Sequence, residues 1–273
     1  MSLVSGVEDR THSDLSGAEA EVVKGAIRRN DYSGHTAGLC AGLLQCNLVI
    51  LPAAFAEDFR AFCRNNPIPC PLLGVSEPGR PQIAALGEGM DLRTDLPRYR
   101  VYERGRCTEE RRDIRDLWRP DFVAFAIGCS FTFEDALMAA GIEMRHVEEN
   151  VTVPMFRTGI PTTPSGAFHG PTVVSMRPIK REEVERVREI SAAYPHAHGA
   201  PLHVGDPAEI GIADLSRPDW GHAVSIRADE VPVYWGCGVT TQVAIANACP
   251  EICITHAPGA MLITGISDCA VFD

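Results

Sequence analysis

The sequence has no surplus of positive charge. Among its 273 residues, 25 Lys plus Arg stand against 36 Asp plus Glu, a formal net charge of −11. That balance argues against a protein that tracks nucleic-acid phosphates or sits on an anionic membrane. No apolar run is long enough to cross a bilayer. The longest, Asn47 to Ala56, is about half of a spanning helix and is broken by Pro52. The segment Met1 to Asp14 carries Glu8, Asp9, Arg10 and Asp14 and lacks an apolar signal core, so a cytoplasmic protein is expected. None of the ten cysteines forms a Cys-x-x-Cys pair. Spread over a signal-free chain, they read as reduced, buried, small apolar residues. There is no Walker A loop, no Gly-x-Gly-x-x-Gly at a strand-to-helix junction and no Gly-x-Ser-x-Gly elbow, so nucleotide-dependent and serine-hydrolase chemistry fall away. Internal repeats and low-complexity tracts are absent as well.

What remains is a globular composition, 45% hydrophobic and 22% charged. At roughly 150 residues per domain the length allows one large domain or two ordinary ones. Ser16 with Glu19 is a capping-box signature, followed at helical spacing by Ala20, Val22, Val23, Ala26 and Ile27, which predicts a helix to about Arg29. Thr36 to Gln45 reads as a second helix and Phe55 to Arg64 as an amphipathic third. Five short apolar runs read as strands: Asn47 to Leu51, Phe122 to Ile127, Pro201 to Val204, Val231 to Trp235 and Ile252 to Thr255. Their hydrophobicity is continuous, which favours parallel strands covered on both faces, with Thr240 to Ala248 as a crossover helix between the last two. The fold class expected is therefore α/β, a mostly parallel sheet sandwiched by helices. Residues 131–195 have a different grammar: a helix (Phe133 to Ala140), strand-like Met144 to Val147, Val151 to Arg157 and Thr172 to Met176, and a charged helix (Arg181 to Ala193). They are expected to form a smaller inserted α+β domain, with 1–130 and 196–273 forming the α/β domain.

In open α/β sheets ligands bind beyond the carboxyl ends of the strands. Cys129, Asp206, Cys237 and His256 each fall at such an end, with glycine adjacent to the first three and three residues after His256. A buried thiol or a turn residue is the competing reading for each one alone. The densest polar stretch runs from Tyr194 to Asp206 and holds His196, His198 and His203. Imidazole and carboxylate suit zinc or manganese, but the spacing matches no standard motif, so no cofactor is required and a divalent metal stays open beside acid/base or interior hydrogen-bonding roles. Cys237 sits between two glycines where a strand turns into a helix. A helix N-terminus lowers a thiol pKa and can hold a carboxylate, with Thr240 and Thr241 as further donors; a tight turn with a cap is the plainer alternative. Arg93, in the charged stretch Asp91 to Arg100, or Arg177, in Ser175-Met-Arg-Pro178, could hold a carboxylate bidentately, while Arg98 and Arg100 read as surface charges.

Taken together, Gln45-Cys-Asn-Leu-Val-Ile-Leu-Pro52, Phe62-Cys-Arg-Asn-Asn-Pro67 with Cys70-Pro-Leu-Leu73, and Asp91-Leu-Arg-Thr-Asp-Leu-Pro97 resemble blocks of the D-glutamate cyclase family, whose bacterial members are named as hydro-lyases. Ile127-Gly-Cys-Ser-Phe-Thr-Phe-Glu134, Val153 to Thr158, Val173 to Pro178, His198 to Pro207, Trp235 to Thr240 and Thr255 to Gly259 continue the match in order. Thr241 and Gly265 depart from it, standing where the family more often has Pro and Asp. The resemblance implies an α/β sandwich with a smaller α+β domain, and cyclisation of D-glutamate to 5-oxo-D-proline with loss of water. Under that reading His256 and His198 are the acid/base candidates, with Glu134, Asp206, Cys237 and Cys129 assisting. Arg93, Arg177, Thr240, Asn47 and His203 are the substrate-binding candidates. A second reading has Cys129 and Cys237 exchange an α-proton from opposite faces of an amino acid, as in cofactor-independent racemases. A third is a non-enzymatic carboxylate-binding protein. The expected partner is a small carboxylate or amino acid, with no nucleic acid or membrane, in a monomer or homodimer.

Overall fold

A computed structural model describes residues 9–269; residues 1–8 of the amino-terminal stretch read above lie outside them. The chain runs α1 (His12–Leu15), α2 (Ala20–Arg28), β1 (Leu43–Pro52), α3 (Ala53–Asn65), β2 (Leu72–Val75), β3 (Tyr99–Glu103), β4 (Arg106–Arg111) and β5 (Phe122–Gly128). It continues with α4 (Phe131–Ala139), α5 (Arg145–Glu148), β6 (Met155–Pro161), β7 (Pro171–Lys180), α6 (Val184–Ala192), β8 (His203–Val204), β9 (Glu230–Gly236), α7 (Val239–Ala248), β10 (Cys253–His256) and β11 (Leu262–Ser267).

The strands form two sheets. A seven-stranded sheet has the order β2-β5-β1-β10-β3-β4, with β11 also on β1, and a four-stranded sheet has the order β6-β7-β9-β8. Every strand pairing is antiparallel. This corrects the expected mostly parallel sheet sandwiched by helices. The reason is visible on β1. Leu48 and Ile50 face one core with Leu86, Leu92, Leu96 and Ile114, while Val49 and Leu51 face another with Phe59, Phe62, Ala244 and Ile245. Both faces are buried, so the run is apolar throughout, and strand direction leaves no trace in such a pattern. The run Val231 to Trp235 joins the smaller sheet, so α7 is no crossover between parallel neighbours but a bridge from one sheet to the other.

Three local expectations also change. Thr36 to Gln45 is not a helix: Gly38, Cys40 and Gly42 have φ of 73°, 54° and 85°, and Gln45 Nε2 donates to the Thr36 and Leu39 carbonyls, closing a turn before β1. Helix α2 starts at Ala20 with no side-chain cap, because Gly17 (φ 75°) turns the chain after Ser16, and the capping box forms instead between Thr11 and Asp14 of α1. Of the expected strand Met144 to Val147 only Met144 is extended, as the N-cap of helix α5, and Arg145 and His146 are buried in that helix. The helices expected at Phe55 to Arg64 and Arg181 to Ala193 are present, the second opening with a 3-10 turn. Among the described residues no helix is long and apolar enough to cross a membrane.

The two sheets exchange helices. β5 ends in the large sheet, and α4, which follows it, packs Phe133 and Leu137 on Val231, Val233 and Trp235 of the small one. β9 ends in the small sheet, and α7 packs Ala244 and Ile245 on Val49, Phe125 and Ile127 of the large one. Both crossings are made by a Gly-Cys turn.

Candidate active site

The turns Gly128-Cys129-Ser130 and Gly236-Cys237-Gly238 have the same construction. In each a strand ends on glycine and a helix starts two residues after the cysteine. The amides of Phe131 and Val239 face the Cys129 and Cys237 sulfurs, respectively, and favour a thiolate there. The glycines are required by close approach. A Cβ on Gly128 would stand 1.7 Å from the His196 carbonyl oxygen, and one on Gly236 would stand 3.1 Å from that of Ile68. Asn47 of β1 links the turns: its Nδ2 donates to the Gly128 carbonyl at 2.6 Å and lies 2.5 Å from where a Gly238 Cβ would stand. Neither α4 nor α7 has a side-chain cap. Two helix N-termini thus flank one buried amide; the Thr132, Thr240 and Thr241 amides already donate to the Cys129, Cys237 and Gly238 carbonyls, so what these ends offer an anion is chiefly their dipoles.

Burial sets the thiols. It pushes Cys129 up to about 12 and Cys237 up to about 11, outweighing the amide hydrogen bonds and the nearby Arg177 charge that pull them down. The lowered thiol expected for Cys237 is therefore corrected, and both thiols are protonated at neutral pH.

Beside them lies a buried ion pair. Arg177 is 1% exposed; its Nε donates to Glu134 Oε1 at 2.9 Å, and its Nη2 also donates to that oxygen. Nη1 reaches Ser175 Oγ at 2.9 Å and Nη2 reaches Ser130 Oγ at 3.0 Å. The guanidinium carbon stands 5.1 Å from the Phe133 ring centroid and 5.2 Å from that of Trp235. His146 Nε2 lies 3.4 Å from Glu134 Oε2. Burial alone would raise the Glu134 pKa, but the charges and hydrogen bonds of Arg177 and His146 hold it down at about 2. Ser130, Ser175 and His146 were not anticipated. Both serines lie inside blocks quoted above, whereas His146 sits in a stretch read as a strand and gave no signal.

The two predicted acid/base histidines are buried and neutral. His198, left-handed at φ 79°, has Nδ1 2.9 Å from the Ile68 carbonyl and also faces that of Gly128. Burial lowers it to about 4. His256 takes the place of a ladder partner where β1 passes from β10 to β11: the Leu48 amide donates to its Nδ1 at 3.2 Å. Burial lowers it, too, to about 4.

Other candidates lie apart. Asp206 caps the 3-10 turn Pro207–Ile210, accepting from the Ala208 amide at 2.9 Å, and its carbonyl is 2.8 Å from His203 Nε2. His203 packs on Tyr234, whose core is a different one from that of Trp235 beneath Arg177. Arg93 is paired with Asp91 at 2.7 Å in a surface loop. Thr240 accepts from the Val173 amide at 2.9 Å and so stitches α7 to β7. His196 Nε2 turns to the Asp268 carbonyl, so the three histidines of that stretch face three separate carbonyls and do not converge. Among the described residues no group of three His, Cys, Asp or Glu side chains could hold a metal ion. A cleft of about 190 Å³, lined by Asn65, Asn66, Pro67, Ile68, Pro69, Ile160, Thr172 and Leu202, borders the Gly236 turn through Ile68 and Pro69.

Residues 123–265 match the family model for D-glutamate cyclase. The chain is 53% identical over 253 residues to a protein named "Putative hydro-lyase" from Jannaschia sp. (strain CCS1), covering 93% of this chain and 95% of that one. Relatives bearing the same designation in Bordetella petrii (53% over 256 residues, 94% and 97% covered) and Pseudomonas aeruginosa strain UCBPP-PA14 (55% over 254 residues, 93% and 96%) are similar throughout.

Proposed function

Because the chain belongs to the D-glutamate cyclase family, we propose that it is a hydro-lyase that takes D-glutamate to 5-oxo-D-proline and water at the paired Gly-Cys turns. The reaction needs no outside proton. The ammonium nitrogen forms a bond to the γ-carbon and gives up two protons, the bond from that carbon to one oxygen breaks, and the oxygen leaves with both protons as water. The catalyst must hold a carboxylate, accept a proton from nitrogen and return protons to oxygen.

The observation that carries the reading is the meeting of two uncapped helix N-termini and two protonated thiols around Asn47. The positive ends of the α4 and α7 dipoles draw in the α-carboxylate, while Asn47, whose Nδ2 donates to the Ile127 and Gly128 carbonyls, holds the two turns in place. His198 donates from Nδ1 to the Ile68 carbonyl and is uncharged at neutral pH, which makes its ring the proton acceptor of this reading. His256 Nδ1 lies 3.2 Å from the Leu48 amide and 3.4 Å from the Leu48 carbonyl; in the tautomer that accepts the shorter contact the ring proton is on Nε2 for donation, and the Cys129 and Cys237 thiols are further donors. Proton NMR of the protein in D2O with D-glutamate, and separately with 5-oxo-D-proline, tests this. Interconversion is expected, slowed about 10²-fold or more in Cys237→Ala and His198→Gln; normal turnover in both variants would overturn the placement.

The matched positions of Cys129 and Cys237 at two exchanged helices favour one further reading, a two-thiol racemase. In the same spectra its signature is loss of the α-proton signal without lactam formation.

A further inference from the structure

Arg177 makes more contacts than a carboxylate-binding arginine has to spare. Four of its donor contacts go to Glu134, Ser130 and Ser175, and it lies against two aromatic rings that stack on each other. These contacts join parts of the chain that belong to different sheets. Ser130 follows Cys129 directly and opens α4 after β5 of the large sheet. Ser175 lies on β7 of the small sheet, opposite Trp235, and two residues before it the Val173 carbonyl accepts the Cys237 amide at 3.0 Å. One guanidinium therefore reaches a neighbour of each thiol turn.

We propose that Arg177, clamped by Glu134, is a positioning residue that fixes the two Gly-Cys turns relative to each other and sets the balance of charge felt by both thiols. This rests on the reading of those thiols as proton donors of the site beside His256. The pair is electrically self-compensating: Arg177 favours a thiolate at both cysteines, and Glu134 opposes one at both. The other groups facing the thiols are few. Cys129 also faces Cys237, Cys46 of β1 and the Phe131 amide; Cys237 also faces Cys70 and the Val239 amide. His146 faces Glu134, and His198 faces Arg177. Removing one member of the pair leaves the other uncompensated, so the two removals act on the thiols in opposite directions.

Alkylation by iodoacetamide reads the thiolate fraction, because the thiolate is the attacking species. The full-length chain and its Glu134→Gln, Arg177→Met and Arg177→Lys variants would be alkylated at pH 8 and the rate at each cysteine followed by mass spectrometry. Cys253, fully buried with only burial acting on it, is the internal reference for opening of the fold. Relative to Cys253, E134Q is expected to accelerate Cys237 by about threefold or more, R177M to slow it, and R177K to stay nearer to the parent. Equal acceleration of Cys253, an unchanged Cys237 rate in folded E134Q, or a shift of both variants in one direction would overturn the proposal. Should R177M fail to fold, E134Q decides alone. The readout needs no turnover, so the expected rates without any lactam formation would overturn the proposed reaction and leave the positioning role standing.

Discussion

Asn47 and Gly238 share a space that holds only one side chain. The Asn47 amide nitrogen lies 2.5 Å from the position a Cβ on Gly238 would occupy, and the same nitrogen donates to the Gly128 carbonyl. Gly238 has φ −58°, so its backbone would tolerate any residue and the requirement for glycine is purely one of room. Gly238→Ala is expected to cost about 1–3 kcal/mol by overpacking, and Asn47→Ala in the same chain to restore much of it. Gly128→Ala meets the His196 backbone carbonyl instead, which has no rotamer to escape to, and is expected to cost more. Urea midpoints of the four proteins check the order.

A second ion pair holds the start of β9. Arg145 Nη2 donates to Glu230 Oε1 at 2.5 Å, both side chains are 4% exposed, and Glu230 Oε2 accepts the Arg227 amide at 2.7 Å. Glu230→Gln leaves the buried guanidinium only the more exposed Glu148, whose Oε2 lies 3.0 Å from Arg145 Nε, and is expected to destabilise by about 2–4 kcal/mol. The double replacement Arg145→Met, Glu230→Leu is expected to lose much less. Equilibrium unfolding of single and double variants measures the difference.

Stability is expected to fall as pH is lowered from 6.5. Burial lowers His198 and His256 from 6.5 to about 4, so between those values the unfolded chain binds protons that the native rings refuse. Each ring then costs about 1.4 kcal/mol per pH unit until about pH 4, where its effect is complete. Asp135, raised to about 6 by burial first and then by Glu134 and Asp268, opposes this below pH 6 with a smaller, solvent-screened contribution. Glu134 works in a lower window: its depressed pKa stabilises the fold above about 4.5, and that contribution is lost as pH falls toward 2. Urea midpoints between pH 4.5 and 7 should show the slope, and His198→Gln and His256→Gln should each flatten it.

Thiol reactivity in the native state is expected to follow exposure. Cys107, Cys249 and Cys269 are exposed, whereas Cys46, Cys63, Cys70, Cys129 and Cys253 are buried. Brief alkylation followed by peptide mass spectrometry should label the first three well before the other five.

The sequence made some of this legible. Phe55, Phe59 and Phe62 announce their helix by spacing, and the Gly-Cys pairs at 128–129 and 236–237 mark both thiol turns. Strand direction was hidden because Asn47 to Leu51 is buried on both faces whichever way its neighbours run. His146 was hidden because its role depends on Glu134, an α4 side chain with no periodic relation to it. Cys237 shows the remaining limit: a helix start is readable from Gly-Cys-Gly, but the depth of burial that outweighs it is a property of the assembled seam.

Strand β1 divides one edge between two partners, pairing Val49 and Ile50 with β10 and Gln45 and Cys46 with β11. Those partners are encoded roughly 200 residues downstream, so as the polypeptide leaves the ribosome β1 waits for nearly the whole chain before that edge is filled. The pairing of β6, β7 and β9 is local by comparison and can be complete first. Synthesis therefore produces a finished small sheet beside an open large one. Asn47 meets the Cys129 turn as soon as β1 and β5 pair, and α7 then carries the Cys237 turn onto that sheet, so His256 on β10 is the last of the site's side chains to be made.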